Sequence, residues 1–287
     1  MEASSKQHAC QLCGRGPLDE FVVPGQSVLR RCTDCELYQH GKPVDDSNYA
    51  AGYHVGYDRH RPQKLRTAAL RLNRIAALVD CDKPKMLDIG CSVGCTVEAA
   101  ARRGWDSYGV DLSRDAVAYC RDRGLTATTC GGVTLPFARE TFDVVTSWHV
   151  IEHVTDVRET LAEWRRVLKP GGILALETPD AACPKVRRLG AKYRKFWPAE
   201  HLYTFTPGNL HQFVEQAGFE VLRRPTIGPT TGLSPWMLGY GLLYQGYHGL
   251  RRLAGVNKAF QIFARRSVGR IANPAHELAA TTHKTAA

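Results

Sequence analysis

The chain has 287 residues, 44% hydrophobic and 23% charged, a composition typical of a soluble protein with enough chain for a large core. Its net charge is +10, and the positive charge lies in residues 181–287, which carry 15 basic and 4 acidic residues. The chain is therefore not basic throughout, and we expect an anionic partner to bind this last third. No run approaches the roughly 20 apolar residues of a spanning helix, and the first residues show no secretory segment, so we expect a cytoplasmic protein.

Two cysteine pairs lie near the beginning of the chain, Cys10-x-x-Cys13 and Cys32-x-x-Cys35, with 18 residues between them. Two thiolate pairs at this spacing are typical of tetrahedral Zn²⁺, and four thiolates leave no open position, so the site would be structural. Ten cysteines without an export signal also favour metal ligation or free thiols over disulfides. We therefore predict a zinc ribbon over residues 1–42, and four unrelated free cysteines are the alternative.

Residues 43–80 contain a tyrosine-rich stretch and a helix. Tyr49, Tyr53 and Tyr57 recur every four residues, but intervening glycines favour a looser segment, which is either a packed linker or a flap over a ligand. Residues 63–79 place apolar side chains at helical spacing, so we expect an amphipathic helix that covers a sheet.

Strand-like and helix-like patterns alternate over residues 81–287. The predicted strands are 85–89, 107–111, 126–130, 142–147, 172–177 and 219–224, with a weaker candidate at 276–284. The predicted helices are 95–103, 113–123, 156–168 and 207–217. This alternation predicts an α/β fold, a parallel sheet with helices on both faces, which a final pair of strands completes.

The stretch 85–111 combines a strand, a glycine turn, a helix and a second strand that ends in an acid. Gly90 and Gly94 let the backbone approach a ligand closely, and the helix that follows begins with free N–H groups. Asp111 stands where a carboxylate would take the two hydroxyls of a ribose. Because ligands bind at the carboxyl ends of the strands in such sheets, this stretch predicts a nucleoside site.

Four segments follow one another in order: LDIGCSVG, YGVDLS, LPFARETFDVVTSWHVIEHV and RRVLKPGGILALETP. With the later AEHLYTFTP they resemble the class I S-adenosylmethionine-dependent methyltransferases, and the cysteine pairs resemble those of the branch with an N-terminal zinc ribbon. The resemblance implies a Rossmann-like seven-stranded sheet with helices on both faces over residues 81–287, a preceding ribbon, and S-adenosylmethionine as cofactor. An NAD-type turn would need G-x-G-x-x-G, which the glycine spacing does not match.

The resemblance also implies roles for individual residues. The positions that match cofactor-binding residues are Asp88, Gly90, Cys91, Ser92, Gly94, Asp111, Leu112, Gly132, Val133 and Trp148. Ser92 replaces the usual second glycine of the loop. The acid that often faces the adenine in this family is absent from residues 131–133.

Methyl transfer to a hydroxyl requires removal of a proton, for which a histidine is the natural base near neutral pH. By motif position His149 lies closest to the methyl group, and His201 lies in a segment where acceptor-side loops are expected, so both are candidates. We expect His153 to pack the loop or bond to backbone. A zinc HExxH motif places its glutamate differently, which disfavours a metal here. An amine or carbanion acceptor would need neither base.

Two basic stretches lie in the last third of the chain. Residues 185–195 carry six basic residues and no acid, and they either rim the acceptor pocket or form a solvated helix. Residues 229–272 combine aromatic and apolar residues at helical spacing with six basic residues and no acid. We predict an insertion that makes peripheral contact with an anionic membrane surface, or else forms a lid or dimer contact.

These features predict a methyltransferase for a small-molecule or saccharide acceptor at oxygen, with a lipid-linked glycan fitting the basic insertion. One alternative is an RNA base methyltransferase, although the basic residues lie away from the ribbon. The other is a cofactor-binding fold without catalysis, which Ser92 and the missing adenine acid would suit. The sequence makes no prediction of the oligomeric state.

Overall fold

The computed structural model describes residues 9–14, 17–24, 28–40, 58–198, 200–222 and 259–268. Within these residues the chain forms two β-sheets and six α-helices. Three predicted features lie outside the described residues: the tyrosine stretch 49–57, the part of the predicted insertion at 229–258 and the strand candidate 276–284. Among the described residues, no helix combines the length and the apolar character that crossing a bilayer requires.

The smaller sheet joins the N-terminal segment to a distant part of the chain. Its strands are β1 Leu18–Val22, β2 Val28–Cys32, β3 Tyr38–His40 and β9 Tyr203–Thr204. They pair in the order β1-β2-β3-β9, and every pair is antiparallel. The fourth strand of the predicted ribbon is therefore β9, which begins two residues after His201 in the AEHLYTFTP segment.

The larger sheet is the seven-stranded sheet that the sequence predicts. Its strands are β4 Lys85–Ile89, β5 Asp106–Asp111, β6 Ala127–Thr129, β7 Phe142–Trp148, β8 Leu168–Pro179, β10 Phe219–Val221 and β11 Ala259–Arg266. They lie in the order β10-β11-β8-β7-β4-β5-β6. The pairs from β8 to β6 are parallel, and β11 is antiparallel to both of its neighbours. The carboxyl ends of the parallel strands consequently meet at one edge, where the candidate site lies.

Helices cover both faces of the larger sheet. They are α1 Arg61–Ala76, α2 Cys95–Ala101, α3 Arg114–Asp122, α4 Val157–Val167, α5 Pro184–Leu189 and α6 Pro207–Gln216. Successive strand residues point to opposite faces, so Met86 packs in a core cluster with Leu72 of α1, whereas Leu87 packs in another with Trp164 of α4. Burial on both faces explains why these strands read as continuous apolar runs.

Side-chain caps determine where two helices near the site begin. The carboxylate of Asp156 accepts hydrogen bonds from the backbone N–H groups of Arg158 and Glu159 at the start of α4. Thr206 and Asn209 form a capping box at the start of α6. These caps fix the chain where α4 begins, after the turn that carries His149, and where α6 begins, after β9, which follows His201.

The last strand of the sheet corrects two predictions. β11 lies inside the predicted insertion 229–272, and it occupies the position that the sequence assigned to 276–284. Phe263 packs with the α1 face of the sheet and Ile262 with the α4 face. A strand buried on both faces needs no polar alternation, and the flanking arginines made this one resemble a basic surface segment.

A smaller correction concerns the junction of α4 and β8. The sequence predicts a helix to residue 168 and a strand from 172, whereas α4 ends at Val167 and β8 begins at Leu168. Leu168 is fully buried and pairs with Phe142 of β7 beside a bulge. The buried leucine therefore extends the ladder through the Lys-Pro-Gly-Gly segment.

Candidate active site

The loop between β4 and α2 adopts left-handed backbone conformations at three positions. Gly90 has φ +72°, Ser92 has φ +48° and Gly94 has φ +71°. A Cβ atom on Gly90 would lie 2.3 Å from Cγ2 of Val150, so glycine is required there for packing as well as conformation. Ser92 adopts the same region at a cost of about 1 kcal/mol. The glycine loop thus packs against the turn that follows β7.

Asp111 ends β5 and faces the glycine loop. Its Oδ2 accepts a hydrogen bond from the backbone N–H of Ser92 at 2.8 Å, and its Oδ1 accepts one from that of Ser113 at 2.9 Å. The carboxyl group is buried, and burial raises its pKa. Oγ of Ser92 is buried with no hydrogen-bond partner among the described residues. An oriented carboxyl group beside an unpartnered hydroxyl fits a ligand that presents polar groups of its own.

Leu112 presents an apolar surface at the same edge. It is 52% exposed, although most large apolar side chains of the described residues are buried. A Cβ atom on Gly131 would lie 3.4 Å from Cδ2 of Leu112. The carbonyl of Gly132 accepts a hydrogen bond from Nε1 of Trp164 at 2.9 Å, which holds the turn leading to Val133. The predicted adenine-facing residues therefore come from two loops that meet at Leu112.

Two predicted cofactor residues lie beneath the glycine loop. Asp88 is 1% exposed, and its Oδ1 accepts a hydrogen bond from Oγ1 of Thr146 at 2.6 Å. Burial raises the pKa of Asp88 to about 7. Cys91 is buried against Gly109, on which a Cβ atom would lie 2.7 Å from the cysteine Sγ. The side chains of Asp88 and Cys91 therefore support the loop from below.

His149 is clamped between two glutamates. Its Nδ1 lies 3.1 Å from Oε1 of Glu152 and its Nε2 lies 3.2 Å from Oε1 of Glu177. Burial opposes the charged ring, but these hydrogen bonds and the two negative charges outweigh it and raise the pKa of His149 to about 10. At neutral pH His149 is therefore a cation with both ring nitrogens engaged, which is the opposite of what a general base requires.

The clamp also imposes an unusual backbone on His149. Its φ is +59°, and its backbone N–H donates to the carbonyl of Glu177 at 2.8 Å. Oε2 of Glu152, which is fully buried, accepts a hydrogen bond from Oγ1 of Thr178 at 3.0 Å. A strained histidine that two carboxylates hold in place, one of them fully buried, is the arrangement expected at a functional turn.

Trp148 ends β7 with Arg71 of α1 stacked on its face. The guanidinium carbon lies 4.2 Å from the ring centroid, and Arg71 also pairs with Glu177. Nε1 of Trp148 is buried and has no hydrogen-bond partner among the described residues. The indole is therefore fixed in place and keeps one donor for a ligand.

His201 and His153 lie edge to face near Glu152. Their ring centroids are 4.8 Å apart at an interplanar angle of 83°. Nδ1 of His153 lies 2.9 Å from the carbonyl of Glu200, so this ring bonds to backbone. Nδ1 of His201 is buried without a partner among the described residues, and burial lowers the pKa of His201 to about 4. His201 is therefore neutral at pH 7 and has a nitrogen free to accept a proton.

Glu152, His153 and His201 could also hold a metal ion, because one ligand atom of each lies within 4.8 Å of the others. Glu152, however, is already neutralised by His149. A divalent cation would find no uncompensated negative charge at this point. Proton transfer therefore suits this cluster better than metal binding.

Four cysteine side chains converge at the start of the chain. Sγ of Cys10 and Sγ of Cys35 are 3.3 Å apart, and those of Cys13 and Cys32 are 3.6 Å apart. All four sulfur atoms lie within 4.8 Å of one another. The structure thus brings together the four residues that the sequence predicts as metal ligands.

Sequence reasoning missed Glu177 and Arg71, which hold His149 and Trp148. Glu177 is the one acid in the apolar run ILALETP, and Arg71 directly precedes the buried Leu72 of α1. A charge inside a pattern that predicts burial needs a partner, and that signal could have identified both residues.

A glycine loop, an acid at the end of the next parallel strand and a nearby proton acceptor together define a nucleotide-cofactor transferase site. The chain belongs to the methyltransferase domain family, whose model matches residues 57–224, and it is an S-adenosylmethionine-dependent methyltransferase. The predicted enzyme class and fold are thereby confirmed. The family match begins after the cysteine ribbon.

Individual relatives agree with this assignment. The chain is 33% identical over 188 residues to a ubiquinone biosynthesis O-methyltransferase of Methylococcus capsulatus, covering 63% of this chain and 72% of that one. It spans between 48% and 59% of several other enzymes of that name. It is 29% identical to an O-methyltransferase of Aspergillus nomiae, covering 64% of this chain and 88% of that one.

A solved structure shares the fold. It is an S-adenosylmethionine-dependent methyltransferase of Archaeoglobus fulgidus, 19% identical, with a TM-score of 0.52 over 75% of this chain and 100% of that one. At this identity the likeness shows the architecture alone.

Proposed function

We propose that this enzyme methylates an oxygen atom of a small-molecule acceptor. The observation that carries the proposal is a neutral His201 with a free, buried Nδ1 at the edge of the sheet where the glycine loop lies. A hydroxyl acceptor needs such a proton acceptor, because its oxygen loses a proton as it gains the methyl group. Relatives named O-methyltransferases support oxygen as the acceptor atom.

The donor site is assigned to the glycine loop and Asp111. The unpartnered Oγ of Ser92, the left-handed glycines and the exposed Leu112 fit a nucleoside with a polar tail. Asp111 would take the ribose hydroxyls, Leu112 the adenine, and the backbone from Gly90 to Gly94 the methionine part. S-adenosylmethionine, when bound, supplies an electrophilic methyl group and a neutral leaving group.

Removing the charge of Asp111 tests the donor site. We expect Asp111→Asn to weaken S-adenosylmethionine binding by about 10- to 100-fold, because a hydrogen bond to a charged group contributes about 1.5–3 kcal/mol. Isothermal titration calorimetry measures the affinity. Asp106→Asn, at the exposed beginning of the same strand, is the matched control and should bind as the wild type does. Unchanged affinity in Asp111→Asn would contradict the ribose assignment.

The base is assigned to His201. As the acceptor oxygen attacks the methyl carbon, its bond to hydrogen breaks and the proton passes to Nδ1 of His201, which has no other hydrogen-bond partner among the described residues. His149 cannot share this role at neutral pH, because Glu152 and Glu177 occupy its two ring nitrogens. We therefore assign His149 as a fixed cation and His201 as the proton acceptor.

Replacing His201 tests the base. We expect His201→Gln to lower kcat by about 10²- to 10⁴-fold with little change in S-adenosylmethionine affinity, since general base catalysis contributes that much. Formation of S-adenosylhomocysteine from labelled cofactor, over a panel of phenols, sugars and glycolipids, measures turnover. His211→Gln, on α6, is the control. Undiminished turnover in His201→Gln would overturn the assignment of the base.

A structural Zn²⁺ is proposed for the cysteine ribbon. Tetrahedral zinc with Zn–S bonds of about 2.3 Å places its four sulfur atoms about 3.8 Å apart. The sulfur separations of 3.3 and 3.6 Å, with all four atoms within 4.8 Å of one another, fit that arrangement. Cys10, Cys13, Cys32 and Cys35 would hold the ion, which would stabilise the short strands around it.

The chemical class of the acceptor is proposed from the sequence. A saccharide or lipid-linked glycan is proposed on the basic residues of the last third, of which Lys185 and Arg187 lie on α5. Peripheral contact with an anionic membrane is proposed for residues 229–258, which lie outside the described residues. The panel of acceptors above discriminates between a saccharide, a glycolipid and a phenol as acceptor.

A further inference from the structure

The segment that carries His201 is attached to the cysteine ribbon on its C-terminal side. Tyr38 of β3 pairs with Thr204, and Gln39 pairs with Tyr203. The backbone N–H of His40 donates to the carbonyl of Leu202 at 2.8 Å. The ribbon sheet therefore continues to the residue next to His201.

The same segment is attached to the ribbon on its N-terminal side. Trp197 is 2% exposed and packs against two ribbon side chains. Its ring centroid lies 4.8 Å from that of Phe21 and 4.9 Å from that of Tyr38. Phe21 and Tyr38 also contact each other, at 5.0 Å, so the three rings form a closed cluster. Tyr38 thus belongs to both attachments, through its ring and through its backbone.

The attached segment also contacts the rest of the active site. The backbone N–H of Tyr203 donates to the carbonyl of Glu152 at 3.1 Å, and its hydroxyl donates to the carbonyl of Thr155 at 3.0 Å. On its other side, Phe205 accepts a hydrogen bond from the N–H of Ala181 at 2.9 Å, just past the end of β8. β9 therefore lies between the ribbon and the two turns that form the acceptor side of the site.

We infer that Tyr38 and Trp197 are positioning residues for His201, and that the ribbon forms one wall of the active site. Three residues of chain separate Trp197 from His201, and Leu202 follows His201 directly. A chain this short between two anchors holds the imidazole against the acceptor. Misplacing a catalytic group by about 1 Å can cost 10²-fold in rate. The inference rests on the proposed role of His201 as base.

A substitution at Tyr38 can remove the ring and its contacts while the backbone pairing with Thr204 stays in place. We expect Tyr38→Ala to lower kcat by about 10- to 100-fold with S-adenosylmethionine affinity within about twofold, since the donor site lies on other strands. Tyr38→Phe, which keeps the ring, should restore kcat. Val22→Ala, 57% exposed on β1 of the same sheet, is the matched control and should leave kcat unchanged. If Tyr38→Ala does not fold, Tyr38→Leu retains apolar volume without the ring.

A double-mutant cycle with His201→Gln decides whether Tyr38 acts through His201. If it does, Tyr38→Ala added to His201→Gln should lower kcat by less than about twofold, and the ring ¹H–¹⁵N signals of His201 should shift in Tyr38→Ala alone. Additive losses with an unshifted His201 signal would overturn the inference and leave the base assignment intact. A fully active His201→Gln would overturn the base assignment, and the inference with it.

Discussion

At the scale of single residues, the charge of His149 is decided by its neighbours. Motif position marks this histidine as a base, yet Glu152 and Glu177 engage its two nitrogens and raise its pKa to about 10. Burial lowers the pKa of both histidines, but on His201 it dominates and lowers the pKa to about 4. Two histidines of one site thereby take opposite protonation states at neutral pH.

Replacing His149 should destabilise the fold in a pH-dependent manner. His149→Asn tolerates a positive φ but cannot reach both carboxylates, so Glu152 stays buried without a cation. We expect a loss of about 2 kcal/mol, discounted from the full cost of breaking a buried pair because the His149 side chain is half exposed. The folded pKa lies above the unfolded value of 6.5, so this contribution is fully present below 6.5 and lost as pH rises through about 10.

Urea unfolding of wild type and His149→Asn at about pH 6 and about pH 10 measures the difference. It should shrink at the higher pH. His211→Asn serves as the control and should stay within about 0.5 kcal/mol of wild type at both values. A difference that does not depend on pH would show that His149 is not the cation of this cluster.

At the scale of elements, the ribbon is a structural part of the enzyme core. Cys10, Leu12, Cys32 and Leu37 belong to the same buried cluster as Trp164 of α4. The guanidinium of Arg158 on α4 donates to the carbonyls next to the first cysteine pair. A ribbon joined in this way should transmit the loss of the proposed zinc ion to the helices that it contacts.

Cys13→Ser tests the metal and its effect together. We expect the bound zinc to fall from roughly one per chain to much less, because a serine hydroxyl is a poor ligand. Plasma mass spectrometry measures the metal. Thermal unfolding should shift down by several degrees, as the metal contributes folding free energy. Cys81→Ser changes an exposed cysteine outside the cluster and should retain both the zinc and the melting temperature. A zinc-free wild type would rule out the proposed site.

At the scale of the whole molecule, residues from the basic third complete the sheet. β11 lies between β10 and β8, and Arg266 at its end is buried, with its Nη2 2.9 Å from Oε1 of Glu140. Gln261 of the same strand donates to Glu177 at 2.5 Å, and Glu177 in turn holds His149. The far end of the chain therefore supports the site through the sheet.

Phe263 reports whether β11 is a core strand or a surface insertion. Phe263→Ala should cost about 3–5 kcal/mol, as expected for a large buried ring replaced by a methyl group. An insertion lying on the surface would lose less than about 0.5 kcal/mol. Chemical denaturation followed by circular dichroism distinguishes the two values. Val268→Ala is the control, because Val268 is 81% exposed just after the same strand.

Local sequence patterns were sufficient to predict the part of the enzyme proposed to bind the methyl donor. The glycine turn, the acid at Asp111 and the order of parallel strands are properties of short segments, because backbone conformation and burial leave a direct mark on residue type. The element order followed from these patterns, and the enzyme class followed from the resemblance to a methyltransferase family; both are confirmed.

The acceptor half depends on contacts between residues far apart in the chain. β3 meets β9, Arg71 meets Glu177, and β11 enters the sheet beside β8. The residues of each partner alone indicate a strand or a charge that needs a partner, but they do not indicate which distant segment it meets. The sequence by itself therefore determined what the protein binds as donor, whereas only the tertiary structure decided which histidine is free to take a proton. The reason is that a pKa depends on the charges and burial around a group, and folding alone brings those neighbours together.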